Sequence, residues 1–258
     1  MIKRIRILNF KSLADVDVRL EPTTVLIGKS GSGKTNFLEA IKCLKSLLLA
    51  GNPAQYFNQN GGTAKLLTVT QSGGFFGFEL DFSVTGLSEN LRYKVIYNIT
   101  GSNESKAIGT LKEETLADGD AIVFSQKDGL VVKKPYENAA LTFGVTALGR
   151  ITGSAISSFA HVALTKGISC YTIPPTVFRD QVATDQEDGL NDQASNVQVA
   201  IKGMHSNLSS LKNWQDIVLA LRSLNVSVRE VDVAMPNRDR VQVSHGYNGK
   251  LHYCPANT

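Results

Sequence analysis

Thr23-Thr24-Val25-Leu26-Ile27, then Gly28-Lys29-Ser30-Gly31-Ser32-Gly33-Lys34-Thr35, then Asn36 to Ala50 (NFLEAIKCLKSLLLA): the reading of the chain turns on this run. The middle octapeptide matches G-x-x-x-x-G-K-[ST], the phosphate-binding loop. Its flanks are the ones that loop requires. Thr23 to Ile27 is β-branched and apolar, as a buried strand is, and Asn36 to Ala50 predicts a helix with Phe37, Leu38, Ile41, Leu44 and Leu48 close to one face. Strand, glycine loop and helix together make an anion trap. Glycines let successive N–H groups turn inward on a phosphate chain, and the helix N-terminus adds partial positive charge. Lys34 is expected on the β- and γ-phosphates, and the Thr35 hydroxyl on Mg²⁺. The loop predicts binding of ATP.

Hydrolysis by such a loop needs a second carboxylate element, an apolar strand ending in Asp and usually followed by Glu. No segment fits. Ala121 to Phe124 runs into Ser125-Gln126, and Ile217 to Leu221 runs into Arg222. Val226 to Asp232 (VSVREVD) carries Arg229 and Glu230 within the run and follows Asp232 with Val233. The phosphate grip is legible, and the residues that would fire it are not.

With 258 residues, 42% of them hydrophobic and 19% charged, the chain has the composition of a globular protein able to bury a real core. Net charge is +4, unevenly spread: residues 1–50 hold nine Lys/Arg against four Asp/Glu, and the remainder is near −1. A basic N-terminal face of this kind would suit nucleic acid, although Lys34 belongs to the loop and Lys42 and Lys45 decorate a helix. Cys43, Cys170 and Cys254 suggest neither a metal knuckle nor a disulfide framework; Cys43 and Cys170 read as small core residues, in keeping with a reducing cytoplasm. His161, His205, His245 and His252 lie far apart in sequence with no ligand spacing. The basic start leads into an alternating strand rather than a signal peptide, and no apolar run reaches the roughly 18 residues of a membrane span.

Ile2 to Phe10 (IKRIRILNF) alternates as a strand, and Val16 to Leu20 forms a second. After the helix and a turn-rich loop (Gly51 to Thr63), strands are expected at Gly77 to Val84, Leu91 to Ile99, Ile108 to Leu116, Ala121 to Phe124 and Leu130 to Lys133, joined by hairpin turns. Leu141 to Lys166 predicts one or two helices, Ile168 to Ile173 a strand, and Asp185 to Asp192 an acidic loop. Helices follow at Ala194 to Met204 and Leu211 to Leu224, the latter with Trp214 in the core, and strands close at Val226 to Val233, Arg240 to Val243 and Leu251 to Tyr253. The expected architecture is α/β: a P-loop core over residues 1–63, an antiparallel β-subdomain over 64–133, and a helical portion with closing strands over 134–258.

Asn9-Phe10-Lys11-Ser12, the loop GKSGSGKT and Asn36-Phe37-Leu38-Glu39-Ala40-Ile41 resemble the N-terminal half of the ABC-type ATPase heads of SMC, RecF and the OLD-like ATPases, often AAA-annotated. The family form is N-F-K-S, then G-x-N-G-S-G-K-[ST]-N-x-x-E-A-I. Tyr171 to Pro174 with Arg179, and Gly189-Leu190 through Ala194 to Val197, look like the family's return to its helical lobe. One departure is Ser30, where many relatives carry Asn; a larger one is that the family's serine-glycine signature, second carboxylate motif and switch histidine have no counterpart here.

The resemblance implies an ABC-like P-loop NTPase core that binds ATP and Mg²⁺ through Gly28, Lys29, Ser30, Gly31, Ser32, Gly33, Lys34, Thr35 and Asn36. Lys11 either approaches the nucleotide or ends its strand in solvent, and the nucleotide-sensing glutamine is Gln181, Gln71, Gln126 or none of these. It further implies ATP-dependent association of two heads, as a homodimer or with a partner ATPase or nuclease subunit. The setting would be DNA maintenance or anti-phage defence in the cytoplasm. Either the chain is a truncated product or a natural half that works with a partner. A non-catalytic nucleotide-binding interaction subunit is the competing reading. A kinase-like P-loop enzyme fits the N-F-K-S strand and the long meander less well.

Overall fold

In Ile2–Phe10 (β1), alternate residues Ile5 and Ile7 are fully buried while Arg4 and Arg6 face outward, the period of a strand with one wet face. The computed structural model describes residues 1–50, 67–68, 74–100, 108–128, 130–133, 146–148, 150, 154–171, 190, 196, 200, 204, 211–224, 228–233, 241–247 and 250–255. Two compact units result, Met1–Ile168 and Ser169–Thr258.

The first unit is built on a seven-stranded antiparallel sheet. β1 pairs with Leu13–Arg19 (β2) on one side and Phe75–Val84 (β3) on the other; Ser88–Thr100 (β4), Ile108–Asp118 (β5), Ala121–Lys127 (β6) and Leu130–Lys133 (β7) follow, in the order β2-β1-β3-β4-β5-β6-β7. The hairpin-rich middle of the chain is therefore a meander, as expected, and it continues the sheet that β1 begins across the boundary expected near residue 63. Phe76, Phe78, Leu80 and Phe82 of β3 and Leu91, Tyr93, Val95 and Tyr97 of β4 line the dry face, with the Phe76 and Tyr97 rings stacked 5.1 Å apart. Lys34–Ala50 (α1) and Ala155–Thr165 (α2) cover that face: α1 packs on β1 and α2, and α2 on β3. Ser154 caps α2, its hydroxyl accepting from the Ser157 N–H at 3.2 Å.

The second unit places Leu211–Leu224 (α3) against a three-stranded antiparallel sheet, Val228–Val233 (β8), Val241–Tyr247 (β9) and Lys250–Pro255 (β10), in the order β10-β9-β8. Trp214 is buried, as its helical spacing predicts. The register sets His252 opposite His245, so two histidines that look remote along the chain are cross-strand neighbours.

Three expectations need correction. Thr23 to Ile27 form no strand: Val25 is 74% and Ile27 90% exposed, because no described strand lies beside them to pair with their backbone. β-branched character favours a strand only where a neighbour completes the ladder. Leu38, expected on the buried face of α1, is 47% exposed, and the buried stripe is Phe37, Ala40, Cys43, Leu44, Leu47 and Leu48. The expected strand Ile168 to Ile173 is not one over residues 168–171; its last two positions, with Gln71, Arg179, Gln181, the acidic loop and most of the helix expected at Ala194 to Met204, lie outside the described residues.

Candidate phosphate-binding site

α1 begins at Lys34, where the Phe37 N–H donates to the Gly33 carbonyl at 2.9 Å and opens the helical ladder. The loop before it uses glycine at three places. A Cβ on Gly28 would lie 2.6 Å from the Ser32 hydroxyl oxygen, so a larger residue there would force the Ser32 side chain to move. Gly33 has φ +91 and Gly31 φ +79, the left-handed region that side chains disfavour. The Lys34 ammonium folds over the loop, donating to the Gly28 carbonyl at 2.7 Å, the Lys29 carbonyl at 2.8 Å and the Ser32 hydroxyl at 3.2 Å. Its charge is thereby centred within the loop.

Gly28 to Ser32 and Thr35 are exposed, and the first turn of α1 holds no acidic residue. The helix N-terminus thus presents its unpaired N–H groups and dipole to solvent without a competing carboxylate. Thr35, the second helical residue, adds an exposed hydroxyl at this mouth beside those of Ser30 and Ser32. Asn36 is turned sideways, its amide donating to the Ser12 hydroxyl at 2.7 Å. Gly33 touches the same turn from the other side, since a Cβ there would sit 3.1 Å from the Ser12 oxygen and 3.2 Å from Leu13. The β1–β2 turn, Asn9-Phe10-Lys11-Ser12, is consequently seated against the loop and the first turn of α1. Sequence spacing of more than 20 residues hid that junction.

Within this turn Asn9 and Lys11 adopt φ +55 and +50, and Lys11 pairs with Glu39 on α1. The three cations of β1 are paired too. Arg4 holds Asp17 at 2.6 Å and reaches Asp81, Arg6 holds Asp15 at 2.8 Å and reaches Glu79, and Lys3 meets Glu89 at 3.2 Å. Hydrogen bonds from the guanidinium groups hold Asp15 and Asp17 below the usual carboxylate range. Four of the nine cations in residues 1–50, those of β1 and its turn, are therefore held in a ladder of ion pairs.

Gln126, one of the three glutamines considered for nucleotide sensing, is fully engaged elsewhere: it is buried in β6 and donates to Glu114. Glu114 is the residue that sequence reasoning missed. It is fully buried and accepts from Tyr93 Oη at 2.7 Å, the Ala147 N–H at 2.6 Å, the Leu148 N–H at 3.1 Å and Gln126. Burial pushes its pKa up while these four donors oppose the shift. Among the described residues no group of His, Cys, Asp and Glu is placed to hold a metal ion, and no helix is long and apolar enough to cross a membrane.

Residues 1–125 match the AAA ATPase domain family. Over 41 residues the chain is 46% identical to a protein named OLD nuclease from Thermus scotoductus (strain ATCC 700910 / SA-01). That stretch is 16% of this chain and 8% of the relative, so the likeness spans a small part of the longer protein.

Proposed function

We propose that residues 1–125, which match the AAA ATPase domain family, are the N-terminal region of an OLD-like ATPase, and that the chain binds MgATP at Gly28–Thr35 as the nucleotide-binding half of an ABC-like ATPase head. One observation carries this reading. The loop holds the Lys34 ammonium on its own carbonyls, beside an exposed helix N-terminus that carries no acid in its first turn. A triphosphate chain entering there replaces water with N–H groups and a fixed cation already in place. The exposed Thr35 hydroxyl is the protein ligand to Mg²⁺, and Lys29, Ser30, Gly31, Ser32 and Gly33 supply backbone donors to the phosphates.

In this reading ATP draws two heads together, in a homodimer or with a partner ATPase or nuclease subunit, in DNA maintenance or anti-phage defence. The sequence holds no apolar run closing on Asp-Glu of the kind that polarises water. Hydrolysis then draws its water-activating carboxylate from residues outside this stretch, and the 258-residue chain alone turns ATP over well below about 1 per second.

Calorimetry tests the binding. Lys34→Ala should weaken MgATP by about 2–5 kcal/mol where the bound nucleotide desolvates the lysine–phosphate pair. Equal affinity in wild type and variant would overturn the assignment of the loop.

A further inference from the structure

The turn that abuts the phosphate loop carries a cation that is engaged by a carboxylate farther along α1. Ser12 touches Gly33 and accepts from Asn36, which seats the β1–β2 turn on the first turn of α1. Lys11, the preceding residue, instead sends its ammonium to the Glu39 carboxylate. Glu39 lies five residues beyond Lys34 along α1, about 7.5 Å up the helix axis. Lys11 is held in a left-handed backbone conformation, φ +50, which a lysine adopts at a cost and which persists only where packing enforces it. Its side chain is 28% exposed and that of Glu39 42%, so the pair is reachable by solvent and by a ligand. The Phe10 ring, 5.7 Å from the ammonium, provides a second resting contact.

We propose that Glu39 is a positioning residue that parks Lys11 off the nucleotide, and that the terminal phosphate of ATP competes for this lysine; the inference rests on the MgATP reading above. Lys11 precedes Ser12, which touches the loop and the first turn of α1, and its flexible four-carbon stem lets the ammonium swing from Glu39 by side-chain rotation. A half-exposed ion pair is weak enough for the exchange to run either way. ATP carries one more negative charge than ADP, so the exchange favours ATP. The pair thus sets how strongly the site distinguishes the two nucleotides, and it links the loop to the sheet through β1.

The experiment measures MgATP and MgADP binding by calorimetry in wild type, Glu39→Gln, Lys11→Ala, Lys11→Arg and the combinations of Glu39→Gln with each lysine variant. Glu39→Gln should tighten MgATP by about two- to fivefold, the factor matching a half-exposed pair, with a smaller gain for MgADP. The gain should vanish in the Lys11→Ala background and return with Lys11→Arg, which restores a cation at the same place. A gain of equal size without Lys11 would mean only that a distant negative charge had been removed, and would overturn the proposal. Unchanged or weaker MgATP binding in Glu39→Gln, with wild type binding normally, would overturn it as well. Wild type that binds no MgATP at all would overturn the nucleotide site itself, a distinct result.

Discussion

Glu114→Gln is the smallest change that tests how the first unit is held together. Glu114 Oε1 accepts from Tyr93 Oη and the Leu148 N–H, and Oε2 accepts from Gln126 and the Ala147 N–H. A glutamine presents one oxygen and one NH₂ in their place. If the NH₂ faces Tyr93 and Leu148, the tyrosine hydroxyl can turn to accept, but the Leu148 N–H meets another donor. If the NH₂ faces Gln126 and Ala147, the Gln126 amide can flip, and the Ala147 N–H is the one left unpaired. Either orientation orphans one buried backbone N–H, which costs about 1–3 kcal/mol. Glu114 avoids this in both charge states, since a protonated carboxyl can donate to Tyr93 and still accept from Leu148 through its hydroxyl oxygen.

The pH dependence separates the two proteins further. Burial raises the Glu114 pKa in the folded state above its ordinary 4.5, so the native protein holds the proton to higher pH than the unfolded chain does. Its contribution to stability is complete below the ordinary value and declines as pH rises through the folded value. Urea denaturation should therefore show the Glu114→Gln penalty largest near pH 4 and reduced at pH 7, with the variant lacking that part of the slope. Hydrogen exchange should report faster exchange at Ala147 or Leu148. A variant as stable as wild type at both pH values, with both amides still protected, would refute the reasoning.

Two further outcomes probe the loop and its approach. Gly33→Ala places a Cβ at φ +91, 3.1 Å from Ser12 and 3.2 Å from Leu13, and should cost about 1–2 kcal/mol in denaturant; Gly31→Ala, with open space around it, should cost only the backbone strain. Ile27→Thr should change stability by less than about 0.5 kcal/mol despite its apolar character, because Ile27 is 90% exposed; a loss of 2 kcal/mol or more by the same assay, the cost of a buried position, would show that this residue is covered.

Period and turn chemistry made much of the first unit legible. The alternation of β1, the hairpin turns between β3 and β7 and the helical spacing around Trp214 each depend on contacts near in sequence. What escaped depends on neighbours far away. Thr23 to Ile27 have the residues of a strand, but pairing comes from another strand, which composition does not report. Glu114 escaped for a different reason. Strict alternation from Leu111 would bury Glu113 and expose Glu114. An irregularity in the ladder between Ile96 and Tyr97, where the partner jumps from Glu113 to Leu111, shifts the phase and turns Glu114 inward with Leu116. A signal was present: Leu111 and Leu116 are five residues apart, an odd spacing that a regular strand cannot bury on one face.

Charge tells the same story at the candidate site. The N-terminal excess of lysine and arginine suggested a face for nucleic acid, yet Lys3, Arg4, Arg6 and Lys11 each meet a carboxylate from another strand or from α1. Such exposed pairs add little to stability, but they cancel the field that would draw a polyanion to β1. Among the described residues, Arg19, Lys29, Lys34, Lys42 and Lys45 make no ion pair, and of these Lys29 and Lys34 lie in the phosphate loop. Lys29 and Lys34 therefore leave uncompensated positive charge where a triphosphate would sit. Lys11 is the one ion-paired cation seated beside that loop, so Glu39 is where a single carboxylate can decide whether the field at the nucleotide includes it.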